Sequence, residues 1–173
     1  MCLRHFSYDA LDVTDAGIPG ATHLFNAMSA FHHREPGLPA AVMHHNKVMA
    51  SIIPDGHHVD YAAIRIARKV MGERLFVITD AVTETDKGHY QHHLVGDKYE
   101  SAGILSGSAL TMVKAFQNLV KNVGVEIEAA LQMCNLNPAK VIGKENDLGK
   151  IENGFKSKMI VINEKMEFVK MIG

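Results

Sequence analysis

The sequence predicts an α/β fold that forms part of a (β/α)8 barrel, and three observations predict it. From about Ala21 onward, apolar runs of strand length alternate with amphipathic helical stretches, the pattern of a parallel sheet covered by helices. Polar residues collect where those runs end, at Thr22-His23, at Asp55 to His58 and at Thr79-Asp80. Carboxyl ends of parallel strands are where barrels and open α/β sheets place their chemistry. Only three or four such units fit into 173 residues, whereas a complete barrel takes about 250.

The elements follow in order. The apolar run 48–53 has strand length and is closed by Pro54-Asp55-Gly56. Ala63, Ile66, Ala67 and Val70 stand at the i, i+3, i+4, i+7 spacing of one helix face. Residues 75–78 form a second buried-strand run, ending at Thr79-Asp80-Ala81. The helical spacing returns with Met112, Ala115, Phe116 and Leu119, and again with Ile127, Ala130, Leu131 and Cys134. Asn137-Pro138 marks a break and a helix restart, since proline is tolerated in a first turn. The tail offers two short strands, 159–162 and 168–171.

Composition narrows the function. With 47% hydrophobic and 21% charged residues the chain can bury one sizeable core, and disorder is excluded. A net charge of −1 argues against a nucleic-acid or anionic-membrane surface. No stretch approaches the roughly 20 apolar residues that span a bilayer. Residues 1–7 lack the charged-then-apolar order of a signal peptide. Cys2 and Cys134 make no disulfide framework. The expectation is a soluble, cytoplasmic protein. Eleven histidines stand out, and histidine is the commonest metal ligand.

Locally, each polar constellation has two readings. His23, at a strand end, is either a metal ligand or a hydrogen-bonded core residue. Asp80 is either a general base or ligand, or the cap of its own loop. In Asp55-Gly56-His57-His58-Val59-Asp60-Tyr61, adjacent histidines point to opposite sides, so at most one of His57 and His58 enters a site. Asp60 reads as an N-cap for the next helix. The pairs His32-His33, His44-His45 and His92-His93 read mostly as solvated loop residues. Arg34, in the turn Arg34-Glu35-Pro36-Gly37, suits a phosphate or carboxylate, or a surface salt bridge. The run 105–112 reads as a Ser/Gly loop opening a helix, presenting N–H groups to a ligand or merely capping.

Taken in order, the runs 21–28, 34–38, 55–61, 79–81 and 105–112 resemble the N-acetylglucosamine-6-phosphate deacetylases of the metal-dependent amidohydrolase superfamily. The resemblance extends from about Asp15 to the end of the chain and corresponds to the carboxyl-terminal half of the family. It implies the second half of a (β/α)8 barrel over residues 1–147. Residues 148–173 would be strands of a small β-sandwich domain, entered through the run 148–154. Ser157-Lys158 departs from the family's usual Ala-Asp, away from the active site.

Carried over by position, the resemblance makes His23 a metal ligand and Asp80 the catalytic acid/base. Asn26, Ala27, Arg34, Asp55, Gly56, His57, His58, Leu105, Ser106 and Gly107 would bind substrate, with Arg34 and His58 on the phosphate. The family's arginine reaches a neighbouring subunit's site, which implies a homodimer. The cofactor implied is a divalent metal, zinc by preference, which lowers the pKa of bound water from 15.7 toward about 7. The products would be acetate and glucosamine 6-phosphate. The family's glutamate ligand and carbonyl-polarising histidine have no counterpart here, and Cys2 or His5 falls near a second histidine ligand. The isolated chain is therefore expected to be catalytically incomplete and to hold zinc weakly. A non-catalytic remnant, or another metal-dependent amidohydrolase, is the alternative; the latter leaves Arg34 and His58 unexplained.

Overall fold

The computed structural model describes residues 18, 20–88, 91–156 and 158–173. A parallel sheet runs in the order β1 (Gly20–Ala21), β2 (Met49–Ile52), β3 (Leu75–Val77). Ala21 faces Ala50, and Ala50, Ser51 and Ile52 face Leu75, Phe76 and Val77. Consecutive residues 50–52 are all buried, so both faces of the central strand are covered. A fourth parallel position follows, where Ser108 bridges to Ala81. Helix α1 (Gly37–His44) joins β1 to β2, and α2 (Tyr61–Met71) joins β2 to β3. The strand-and-helix alternation read from the sequence is therefore the architecture observed.

Helix α3 (Met112–Asn118) continues into a π-helical turn at Leu119–Val123 and ends on left-handed Gly124. Helices α4 (Ile127–Cys134) and α5 (Leu136–Val141) follow, with Pro138 in the first turn of α5 as expected. Leu38, Val42, Ile52, Ile64, Leu75, Leu119 and Met133 form the centre of the core. Cys134 lies in α4, where burial pushes its thiol up to about 12. Among the described residues no helix is long and apolar enough to cross a membrane.

The buried helix faces differ from those expected. In α2 the inward stripe is Ile64, Ala67 and Met71, while Ile66 is 60% exposed and Val70 is exposed too. In α4 the inward residues are Ala130 and Met133, and Ile127 and Leu131 are exposed. Each helix carries more apolar residues than one stripe holds. Ala67 and Ala130 belong to both the expected and the observed stripes; the difference is that Ile64, Met71 and Met133 are the large residues turned to the core.

Between β3 and Ser108 the chain builds an antiparallel sheet: β4 (His93–Val95), β5 (Lys98–Ser101) and β6 (Ile104–Ser108). Its turns are Gly96-Asp97 and Ala102-Gly103, with positive φ at Gly96, Ala102 and Gly103, as tight hairpin turns require. Leu105, Ser106 and Gly107 therefore lie in a strand and not in the loop expected of them. Their ladder partners, Tyr99 and Glu100, come from β5. The tail forms the expected pair β7 (Met159–Ile162) and β8 (Phe168–Ile172), antiparallel. It is tied to α3 and its π turn by Gln117 Nε2 donating to the Met166 carbonyl and Lys121 Nζ to that of Lys165.

Three polar side chains fasten the sheet to its helices. Arg74, just before β3, donates to the carbonyls of Val42 (3.3 Å), Met43 (3.1 Å) and Val48 (2.8 Å). Asn118 donates to Pro54 O and Asn137 to Leu75 O. All five carbonyls belong to buried residues, where an unpaired one costs about 1–3 kcal/mol.

Candidate active site

The site gathers at the carboxyl ends of the parallel strands. After β1 the chain turns sharply, with φ of +39° at His23, +77° at Phe25 and +52° at Ala27. Non-glycine residues there cost roughly 1–3 kcal/mol each, and such strain concentrates at functional sites. The turn is held by His23 N–H donating to Ser51 Oγ (2.7 Å) and Leu24 N–H donating to Ser51 O (2.7 Å).

His23 is 6% exposed, and its Nδ1 donates to the Asn26 carbonyl at 2.9 Å. A carbonyl only accepts, so the proton sits on Nδ1, and Nε2 of the neutral ring keeps its lone pair. That is how metal-binding histidines are prepared, the second nitrogen fixing the tautomer. Nε2 has no hydrogen-bond partner among the described residues, so the ring is not simply a satisfied core histidine. The described residues contain no group of three or more His, Cys, Asp or Glu side chains able to hold a metal. Cys2 and His5 lie outside the described residues. The described residues thus offer one histidine with a ring nitrogen open for ligation, and no complete ligand set among them.

Asp80 follows β3 with φ of +48° and is exposed. Its backbone is pinned from across the sheet. Ser108 N–H donates to Asp80 O (3.2 Å), Ser108 Oγ donates to Thr79 O, and Val82 N–H donates to Ser108 O (3.1 Å). Its carboxylate accepts no hydrogen bond among the described residues, so it does not cap its own loop. β1 and β3 flank β2, which puts their ends roughly 10 Å apart on one rim.

The loop after β2 wraps around Asp55. Oδ1 accepts the N–H groups of His57 (2.9 Å) and His58 (2.8 Å), and Oδ2 lies 2.6 Å from His58 Nδ1. The Asp55 side chain is 4% exposed and that of His58 9%. Burial pushes the Asp55 carboxyl up, but the His58 ring hydrogen bond, the two N–H bonds and the His58 charge outweigh it. The net effect holds the carboxyl below its ordinary value of 3.8. His57 points the other way, its Nε2 at 2.8 Å from Asp97 Oδ1 on the β4–β5 turn. The two histidines diverge, His58 toward Asp55 and His57 toward Asp97, although both lie in the bend around Asp55 and not in extended backbone. Gly56 has φ of +83°, and a Cβ there would lie 2.9 Å from the Tyr61 ring. Asp60 caps α2, accepting from Ala62 N–H.

A depressed carboxyl stabilises the fold above its unfolded pKa, and that stability disappears as pH falls through the folded value. Urea unfolding should therefore show wild type more stable than Asp55→Asn at pH 7, with the gap shrinking between pH 5 and pH 3. A gap unchanged at pH 3 would assign Asp55 no such role.

The other expected residues are placed as follows. Asn26 and Ala27 share the His23 turn, Asn26 half-buried and Ala27 exposed. Arg34 lies exposed in the turn before α1, its guanidinium without a partner among the described residues. Ser106 Oγ shares a hydrogen bond with His92 Nδ1 (2.9 Å). Gly107 is buried, and a Cβ there would lie 2.7 Å from the methyl carbons of Val82. Through β6 the 105–107 segment joins Ser108 and hence Asp80. No local sequence signal shows that Ser51 and Ser108 hold the His23 and Asp80 segments, since those partners lie 28 and 29 positions away.

The sequence profile of the amidohydrolase family matches residues 4–171. The N-acetylglucosamine-6-phosphate deacetylase of Vibrio furnissii is 34% identical over 163 residues, covering 90% of this chain and 41% of its own length. The N-acetylgalactosamine-6-phosphate deacetylase of Escherichia coli O157:H7 is 31% identical over 157 residues, covering 86% and 42%. The crystal structure of N-acetylglucosamine-6-phosphate deacetylase from Pasteurella multocida superposes with a TM-score of 0.93 at 33% identity. It covers 99% of this chain and 48% of that one. The chain spans less than half the length of these relatives.

Proposed function

The chain belongs to the amidohydrolase family, and from that premise we propose that it forms the carboxyl-terminal half of an amino-sugar-phosphate deacetylase barrel. Residues 1–147 would supply the barrel portion and 148–173 strands of a small β domain. The reaction is hydrolysis of N-acetylglucosamine 6-phosphate to acetate and glucosamine 6-phosphate. The observation that carries this reading is the shared rim, with His23 Nε2 prepared for ligation and the Asp80 carboxylate free nearby.

A divalent metal, zinc by resemblance, would when bound make its water acidic enough to attack near neutral pH. His23 would hold it through Nε2, with further ligands from outside the described residues. The Asp80 carboxylate takes the proton of the attacking water and returns one to the leaving amine nitrogen. Asn26, Ala27 and the 105–107 segment contact the sugar. Arg34 and His58 bind its phosphate, Arg34 across a dimer interface in which its exposed turn meets the partner's site.

Replacing Arg34 or His58 should penalise the 6-phosphate substrate far more than unphosphorylated N-acetylglucosamine. A lost charge-assisted hydrogen bond is worth about 1.5–3 kcal/mol, or roughly ten- to more than a hundredfold in kcat/KM. The test is acetate release from both sugars by the polypeptide carrying this sequence. Equal losses on both would assign these residues to the fold.

A further inference from the structure

Asp55 was expected among the substrate-binding residues, yet its carboxylate is filled from within the chain. Oδ1 takes two backbone N–H groups and Oδ2 the His58 ring, and the side chain is 4% exposed. The His58 ring is nine-tenths buried, and its Nε2 makes no hydrogen bond among the described residues. That atom is also not sealed away as a buried orphan. It is the one polar atom of the pair left to meet a ligand.

We propose that Asp55 is a positioning residue that acts through His58, holding the ring in place and keeping a proton on Nδ1 so that Nε2–H serves as a charged donor to phosphate. This rests on the reading of His58 as a phosphate ligand. A neutral ring with its proton on Nδ1 would turn a lone pair toward the anion and repel it. A carboxylate at 2.6 Å accepts the Nδ1 proton and leaves Nε2–H to donate to the anion. The remaining neighbours do not compete for Nδ1. Tyr61, from α2, donates its hydroxyl to the Asp55 carbonyl (3.3 Å), and Asp97, from the β4–β5 turn, is engaged by His57.

The experiment titrates the 173-residue chain with inorganic phosphate while following the His58 ring by NMR, for wild type, Asp55→Asn and His58→Gln. Asn keeps an acceptor for the two backbone N–H groups and removes the charge. Asp55→Asn should weaken phosphate binding about tenfold at pH 7.5, the scale seen when a partner behind a ligating histidine is removed. Equal affinity at pH 7.5 overturns the proposal. Wild-type spectra give a second reading should the variant unfold. Both ring nitrogens of His58 should carry protons in the phosphate-bound chain, and a bare Nδ1 there also overturns the proposal. If His58→Gln binds phosphate as wild type does, or wild type binds none, the phosphate reading of His58 fails together with this inference. Loss in His58→Gln alone leaves that reading standing and removes only Asp55.

Discussion

Asp80→Asn should lower kcat for acetate release by at least about a hundredfold while leaving KM within a few-fold, the usual size of a general acid–base contribution. The substitution is isosteric, and asparagine tolerates the positive φ that Asp80 adopts. The backbone bond from Ser108 N–H does not depend on the side chain. Because the carboxylate takes no hydrogen bond among the described residues, removing its charge leaves no donor orphaned. Steady-state kinetics of the polypeptide carrying this sequence, beside its urea midpoint, provide the check. A kcat within a few-fold of the parent would take Asp80 out of the mechanism.

The largest expected effect on stability belongs to Arg74→Met. Burial pulls the guanidinium down from its ordinary range, but arginine stays charged in proteins. Its three carbonyl partners close the last turn of α1 and the entrance to β2, and cations are favoured at such helix ends. Methionine keeps the apolar stem and deletes the donors, leaving carbonyls of buried residues unpaired. The expected loss is about 2–4 kcal/mol, since bonds from a charged donor are worth more than neutral ones and are not additive. For a chain of this size that lowers Tm by roughly 5–15 °C. A shift below about 2 °C in calorimetry would mean that water takes over those carbonyls at little cost.

What the sequence discloses here follows the range of each interaction. Strands β2 and β3 are legible because residues covered on both faces are almost all apolar, Ser51 being the one polar residue among them. His23, Asp55, His58 and Asp80 are legible because they follow such runs directly. The stripes of α2 and α4 are not, since Ile66, Val70, Ile127 and Leu131 satisfy the helical period yet face outward. Only the packing partner distinguishes one apolar stripe from its neighbour. The β4–β6 sheet could have been found from Gly96-Asp97 and Ala102-Gly103, which are hairpin turn pairs between strand-length segments. The long-range roles of Ser51, Arg74, Ser108, Asn118 and Asn137 stay silent in the sequence. The bonds that tie them to distant segments reach between 26 and 64 positions along the chain, and no local pattern encodes so distant a partner.

The bridge between Ser108 and the Thr79–Ala81 segment has a consequence for the order in which the protein assembles. Its two sides are 29 positions apart, so closing that loop carries an entropy cost of about 3 kcal/mol before any contact rewards it. The β1–β2 pair closes as long a loop, Gly20 facing Met49, but β2 is paired on both sides, whereas Ser108 meets the Thr79–Ala81 segment through a single bridge. The Asp80 edge is therefore expected to be the first part of the rim to open. In native-state hydrogen exchange, the amides of Val82 and Ser108 should exchange through a partial opening well below the free energy of global unfolding, while those of β2 wait for the whole molecule.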